Sequence, residues 1–139
     1  MKESKLLLVY KSIIRPTADY CSVVYNSLIP RYLSDNLERV QRHALKIIFG
    51  SSVDIGRIME SNEVETLLER RNEKCLEFAK KAAKSERFGP KWFIRNQCDR
   101  TARDTTRKPY LERFTRNERM RINPREYLVR LLNEQSVET

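Results

Sequence analysis

Arginine and lysine are the residues whose number and spacing could do chemistry in this 139-residue chain. Ten cations lie between Arg100 and Arg130, and nine of the ten are arginine. A guanidinium stays charged at any physiological pH and can grip a phosphate through two parallel N–H bonds. Residues 1–79 are nearly balanced, with 12 Lys/Arg against 11 Asp/Glu, whereas residues 80–130 hold 16 against 6. The net charge of +9 therefore belongs to the second half. Cations that neutralise a polyanion release its condensed counterions, which supplies sequence-independent affinity. Candidate phosphate contacts in the second half are Arg100, Arg103, Arg107, Lys108, Arg113, Arg116, Arg119 and Arg121. A smaller set, Arg39, Arg42 and Lys46, falls on one side of a predicted helix, where a row of cations also serves simple solvation. An acidic protein could use the same charges. A membrane is not expected, because residues 100–125 lack the regular apolar face a surface-lying helix needs.

Other side chains offer less. His43 is the sole histidine, and spacing places no serine or cysteine beside it, so the reading is a core-edge histidine rather than a base. Cys21, Cys75 and Cys98 are too few and too scattered for a disulfide framework. Together with His43 they lack the paired spacing of a zinc site. Cys21 and Cys75 are read as thiols on apolar helix faces. Glu63/Glu65 and Glu69/Glu73 sit on helix faces and need no catalytic role. Three glycines cannot make a phosphate-cradling loop. No cofactor and no self-sufficient active site are expected.

The elements that must position these charges are helical. Segments of 3.6-residue period dominate and alternating β-type runs are nearly absent, so the class is all-α: a small antiparallel bundle over residues 1–86, then a basic, loop-rich extension over 87–139 that ends in a short helix. A first helix is predicted over 4–14, with Pro16 ending it or opening the next. A second is predicted over 17–27. The third, over 34–50, has Ser34 as its N-cap and Gly50 at its exit. Its apolar stripe is Leu33, Leu37, Val40, Ala44, Ile47 and Ile48, with Arg39, Arg42 and Lys46 opposite. A helical turn is predicted at 54–60 and a long helix over 63–86, with Val64, Leu67, Leu68, Cys75, Phe78, Ala79 and Ala82 inward. Trp92 and Phe93 are expected to dock the following segment. Residues 99–109 read as loop and 110–122 as a weak helix. Asn123-Pro124 opens a last helix over 124–133, whose inner side is Tyr127, Leu128, Leu131 and Leu132.

Arg71 falls inside the apolar arc of the long helix. A buried guanidinium needs an acid, and Asp19 and Glu38 are the candidates for a structural ion pair. The other outcome is a side chain that reaches past the core edge to water. No run is long or apolar enough to span a membrane, and the N-terminal apolar patch is too short for a signal peptide, so an intracellular protein, nuclear or cytoplasmic, is expected.

Three ordered pieces carry a resemblance. They are Leu8-Val-Tyr-Lys-Ser-Ile-Ile-Arg-Pro-Thr-Ala-Asp-Tyr20, Leu37-Glu-Arg-Val-Gln-Arg-His-Ala-Leu-Lys-Ile-Ile-Phe-Gly50, and Leu67/Leu68 followed by Arg70-Arg71. The set resembles the region directly C-terminal to the polymerase core in reverse transcriptases of non-LTR retrotransposons of the jockey and CR1 type. Tyr10, Arg15, Pro16 and Tyr20 match the first motif of that family. Leu37, Glu38, Gln41, Ala44, Ile48 and Gly50 match the second, and Arg70 and Arg71 the third. The likeness covers about residues 6–85 well and 100–133 loosely. It implies a thumb-like helical unit that packs beside a palm and helps hold a template–primer duplex, of RNA, DNA or hybrid. The family's catalytic aspartates have no counterpart here, so no polymerase activity is expected. Tyr25 stands where tryptophan is more typical, and no fingers or palm precede the first methionine, which suits an excised piece or a fragmentary reading frame. The alternative is a protein-interaction module that docks on a polymerase core or a second copy. Its exposed seam would be Tyr10, Ile13, Ile14, Tyr20 and Val24.

Overall fold

The computed structural model describes residues 3–95, 108–113, 117 and 122–136. They are mostly helical, as the periodicity predicts, and an isolated antiparallel bridge joins Arg95 to Tyr110. The helices are α1 (Glu3–Val9), α2 (Arg15–Asp19), α3 (Ser22–Tyr25), α4 (Arg31–Phe49), α5 (Ile55–Ser61), α6 (Leu67–Lys84), α7 (Gly89–Trp92) and α8 (Pro124–Gln135). None of them is long and apolar enough to cross a membrane.

The contacts divide the chain into two units. One comprises the residues up to Ser22 with Ile29–Asn72, and the other comprises Val23–Leu28 with Glu73 onward. The division at Asn72 falls inside α6, whereas the sequence places the end of the bundle at 86/87. A charge count registers the basic tail but not which residues touch.

In the first unit Pro16 lies in the first turn of α2, the second of the two outcomes predicted for it, and no break separates that helix from the turns before it. A π turn over Tyr10–Ile14 joins α1 to α2, and the Arg15 N–H reaches back to the Tyr10 carbonyl. A proline cannot donate and its ring crowds the preceding turn. The wider turn just before it relieves that crowding. Thr17 Oγ1 donates to the Ile13 carbonyl at 2.9 Å. The helix stops instead at Tyr20–Cys21, where Cys21 takes a φ of 55°. The predicted helix over 17–27 is therefore two pieces, and Cys21 is an exposed turn residue rather than part of an apolar face.

The third predicted helix begins three residues early, at Arg31, behind Pro30. Ser34 lies inside it and caps nothing. Gly50 does end it, at φ 96°. The buried face of α4 is also turned relative to the apolar stripe. Gln41 and Leu45 are buried, while Leu33, Val40 and Ile47 are exposed. His43 is exposed as well, not at a core edge. Leu7, Tyr10, Leu45, Ile58 and Val64 form the apolar cluster of this unit.

The long helix starts at Leu67, four residues later than predicted, because Glu63 takes a φ of 52° and α6 has its own N-terminal device. Thr66 Oγ1 accepts from the Glu69 N–H at 3.1 Å, and the Glu69 carboxylate accepts from the Thr66 N–H at 3.1 Å. This reciprocal pair is a capping box. Glu38 completes it by accepting from the Leu67 and Leu68 N–H groups at 3.4 and 2.8 Å. A carboxylate there also sits well against the helix dipole. Of the predicted inner face, Leu67, Cys75, Ala79 and Ala82 are buried, and Leu68 and Phe78 are exposed.

In the second unit Cys75, Ala79, Ala82, Phe93, Leu128, Val129 and Leu132 form one apolar cluster. Trp92 packs against it and meets Phe88 edge to face, so the aromatic pair docks its segment as expected. Gly89 is required for close approach: a Cβ there would lie 2.6 Å from the Ala83 carbonyl oxygen. α8 begins as its sequence predicts, with Asn123 Oδ1 accepting from the Arg125 N–H at 3.0 Å and Pro124 in the first turn. Residues 110–113 are not helical. Asn133 holds them by exchanging two 3.0 Å bonds with the Tyr110 main chain and donating to Glu112.

Candidate nucleic-acid interface

Arg39, Arg42 and Lys46 stand on α4 at positions that a 100° step brings close together, away from buried Gln41 and Leu45. All three are exposed. None of them has an ion-pair partner among the described residues. Two acids stand one turn before members of the row, Asp35 before Arg39 and Glu38 before Arg42, and the Glu38 carboxylate is engaged at the N-terminus of α6. The helix presents three cations at a spacing close to one turn, about 5.4 Å, which is comparable to the separation of successive phosphates along a strand.

The tail candidates fare differently. Arg100, Arg103, Arg107, Arg116, Arg119 and Arg121 lie outside the described residues. Lys108 is already paired with Glu112 at 2.9 Å. Burial pushes the Glu112 carboxyl up, but hydrogen bonds from Asn133 and Lys108 outweigh that and hold it below its ordinary value of 4.5. Arg113 is exposed, and its main-chain N–H donates to Glu126 at 3.3 Å. Arg125, close behind, is spent on structure. Its Nε and Nη2 both donate to the Trp92 carbonyl, and its Nη1 pairs with Glu126 at 2.9 Å.

The residues that carried the three-piece resemblance meet in the interior of the first unit. Tyr10 Oη donates to Gln41 Oε1 at 2.8 Å. Burial raises the Tyr10 phenol above its ordinary value of 10.0, which keeps it a donor. Gln41 Nε2 and Arg15 Nη2 both donate to the Glu65 carbonyl, at 3.0 and 2.9 Å. Arg15 also lies 3.7 Å from the Glu65 carboxylate. Asp19, fully enclosed, accepts from Arg70 Nε. Arg71 is 0% exposed, so it does not reach past the core edge to water, and its Nη2 donates to Ser34 Oγ at 2.6 Å. Glu38 serves the N-terminus of α6. Each of these groups joins segments far apart in sequence, so their evident work is to lock helices together. Hydrophobic periodicity could not find Arg15 or Gln41, since both are polar and both are buried. The capping box Thr66-x-x-Glu69 was readable in advance by its spacing.

The proposed interaction seam is partly open. Ile13, Ile14, Tyr20 and Val24 are exposed, whereas Tyr10 is buried and committed to Gln41. Among the described residues no group of three metal-ligating side chains is assembled. Comparison of the chain with protein-family models, with curated proteins and with solved structures finds no match.

Proposed function

We propose that this chain is a nucleic-acid-binding helical region of the kind a retrotransposon reverse transcriptase carries beside its polymerase core. It holds a template–primer by the phosphate backbone and brings no catalytic residues of its own. The observation that supports this most is the exposed row Arg39, Arg42 and Lys46, none of which forms an ion pair with a described carboxylate. The arginine-rich stretch from Arg100 to Arg121 extends the cationic supply in sequence. Contacts of this type are insensitive to base identity and sensitive to salt. The test is an anisotropy titration across salt with duplex DNA, RNA–DNA hybrid and single strands. Each neutralised phosphate adds about 0.9 to the logarithmic salt slope on a duplex, so replacing Arg39, Arg42 and Lys46 together by alanine lowers that slope by about 2–3. A slope unchanged by the triple substitution removes the α4 row, and salt-independent binding removes the reading. A second reading, docking on another protein through the first helices, draws on the exposure of Ile13, Ile14 and Tyr20. Self-association that survives high salt and is lost on Ile13→Ser would favour it.

A further inference from the structure

The phosphate reading leaves one side of α4 unexplained. Leu33, Val40 and Ile47 are 41%, 58% and 69% exposed. They recur every seven residues, two helical turns, and so return to nearly the same face. The stripe runs about 21 Å, at 1.5 Å per residue. Tyr32, 65% exposed, lies at its start, and Asn36 and His43 fill the half-turns between the aliphatic residues. One edge of the stripe turns into the core through Leu37, Ala44 and Ile48. The other edge carries Arg39 and Lys46, with Arg42 one step further round. An apolar strip bordered on its open side by Arg39 and Lys46, with Asp35 and Arg42 beyond them, is a poor match to phosphates, which give Val40 and Ile47 nothing to bury against.

We infer that this strip is a docking surface for an acidic amphipathic helix of a partner protein. Apolar side chains of the partner at three- and four-residue spacing would lie on Leu33, Val40 and Ile47, and flanking carboxylates would face Arg39 and Lys46. Charge selects this occupant over a second copy. Two copies packed antiparallel along the strip would set Arg39 and Lys46 of one against the same cations of the other. A parallel pair would oppose them to Leu37 and Ala44, and neither arrangement supplies a carboxylate. The partner supplies what the strip lacks.

The test uses the full chain and a designed helical peptide of about five turns, with leucine on one face and glutamate on both flanks. Its counterpart carries lysine on the flanks. The glutamate peptide binds in the micromolar range and the lysine peptide at least about tenfold more weakly. Val40→Ser with Ile47→Ser weakens the glutamate peptide about tenfold or more, with helix content by circular dichroism and duplex-DNA titrations unchanged. Arg39→Glu with Lys46→Glu reverses the preference between the two peptides. Equal binding of both peptides, binding of neither, or full binding by the Val40/Ile47 variant overturns the inference. So does a wild-type dimer in sedimentation that the Val40/Ile47 variant dissolves, which would make the occupant a second copy. Loss of adsorption to phosphatidylserine vesicles in that variant would make it a membrane, and loss of DNA binding would return the strip to the nucleic-acid interface. The DNA salt slope is read separately, so either proposal can fail alone.

Discussion

Arg71, Gln41, Arg15 and Asp19 hold interior positions in the first unit, where the second unit has Leu128, Val129, Cys75 and Ala79. The first interior is knit by directed bonds between distant segments, such as Tyr10 to Gln41 and Arg70 to Asp19. The second is a continuous apolar cluster, with Asn133 and Glu126 buried at its margin to hold an extended strand-like stretch. An apolar interior tolerates many arrangements of similar volume. A buried polar interior is satisfied in few, because each donor left alone is costly. The first unit thus spends polar groups on geometry, and much of its apolar surface stays outside, as on α4.

Substitution of Arg71 gives the sharpest attack on that contrast. Arg71→Ala removes a fully enclosed guanidinium from its partners and is expected to cost about 3–5 kcal/mol in urea unfolding. Arg71→Met refills much of the volume but leaves the same partners unmet, so it is expected to cost nearly as much. An Arg71→Met variant as stable as the wild type would mean that packing, not pairing, matters at this position. Leu128→Ala is the matching change in the second unit, with an expected loss of about 2–5 kcal/mol from lost burial and a residual cavity. Asn133→Ala comes next. It strips the Tyr110 main chain of two bonds and is expected to cost about 1–3 kcal/mol, with faster amide exchange at Tyr110. If Tyr110 exchange is unchanged, the apolar cluster alone holds that stretch.

The smallest expected effect is a matter of pH. Folding holds the Glu112 carboxyl below its ordinary value of 4.5, so the unfolded chain takes up the proton first. The stabilisation from Glu112 is then complete above pH 4.5 and is lost as pH falls through the lower folded value. Glu112→Gln should flatten that acid limb of the stability curve without moving its neutral plateau much. An unaltered acid limb would show that Asn133 and Lys108 do not hold the charge.

Some of the molecule was legible in advance for local reasons. Asn123-Pro124 opens α8, Gly50 ends α4 and Asp54 opens α5 because caps are chemistry between neighbours in sequence. Pro16 opens α2, one of the two outcomes its position predicts, and a π turn joins that helix to the one before it. Arg39, Arg42 and Lys46 were read as outward cations, and they are exposed. The same spacing assigns Leu33, Val40 and Ile47 to the core, and all three are exposed. The error arises because a hydrophobic average sees apolarity, while the buried face of α4 is decided by what Gln41 and Ser34 can bond.

Periodicity and charge by themselves determined that the chain is helical, where several of its helices begin and end, and that its cations crowd its later half. Those properties depend on residues a few positions apart, or on a simple count. Tertiary structure alone decided which face of α4 turns inward, that Arg71 meets Ser34, that Arg70 takes Asp19, and that Lys108 is spent on Glu112 while the α4 row is not. Such choices are made between groups up to 51 residues apart, and a polar side chain carries no mark in sequence of whether its partner will be water or another part of the fold.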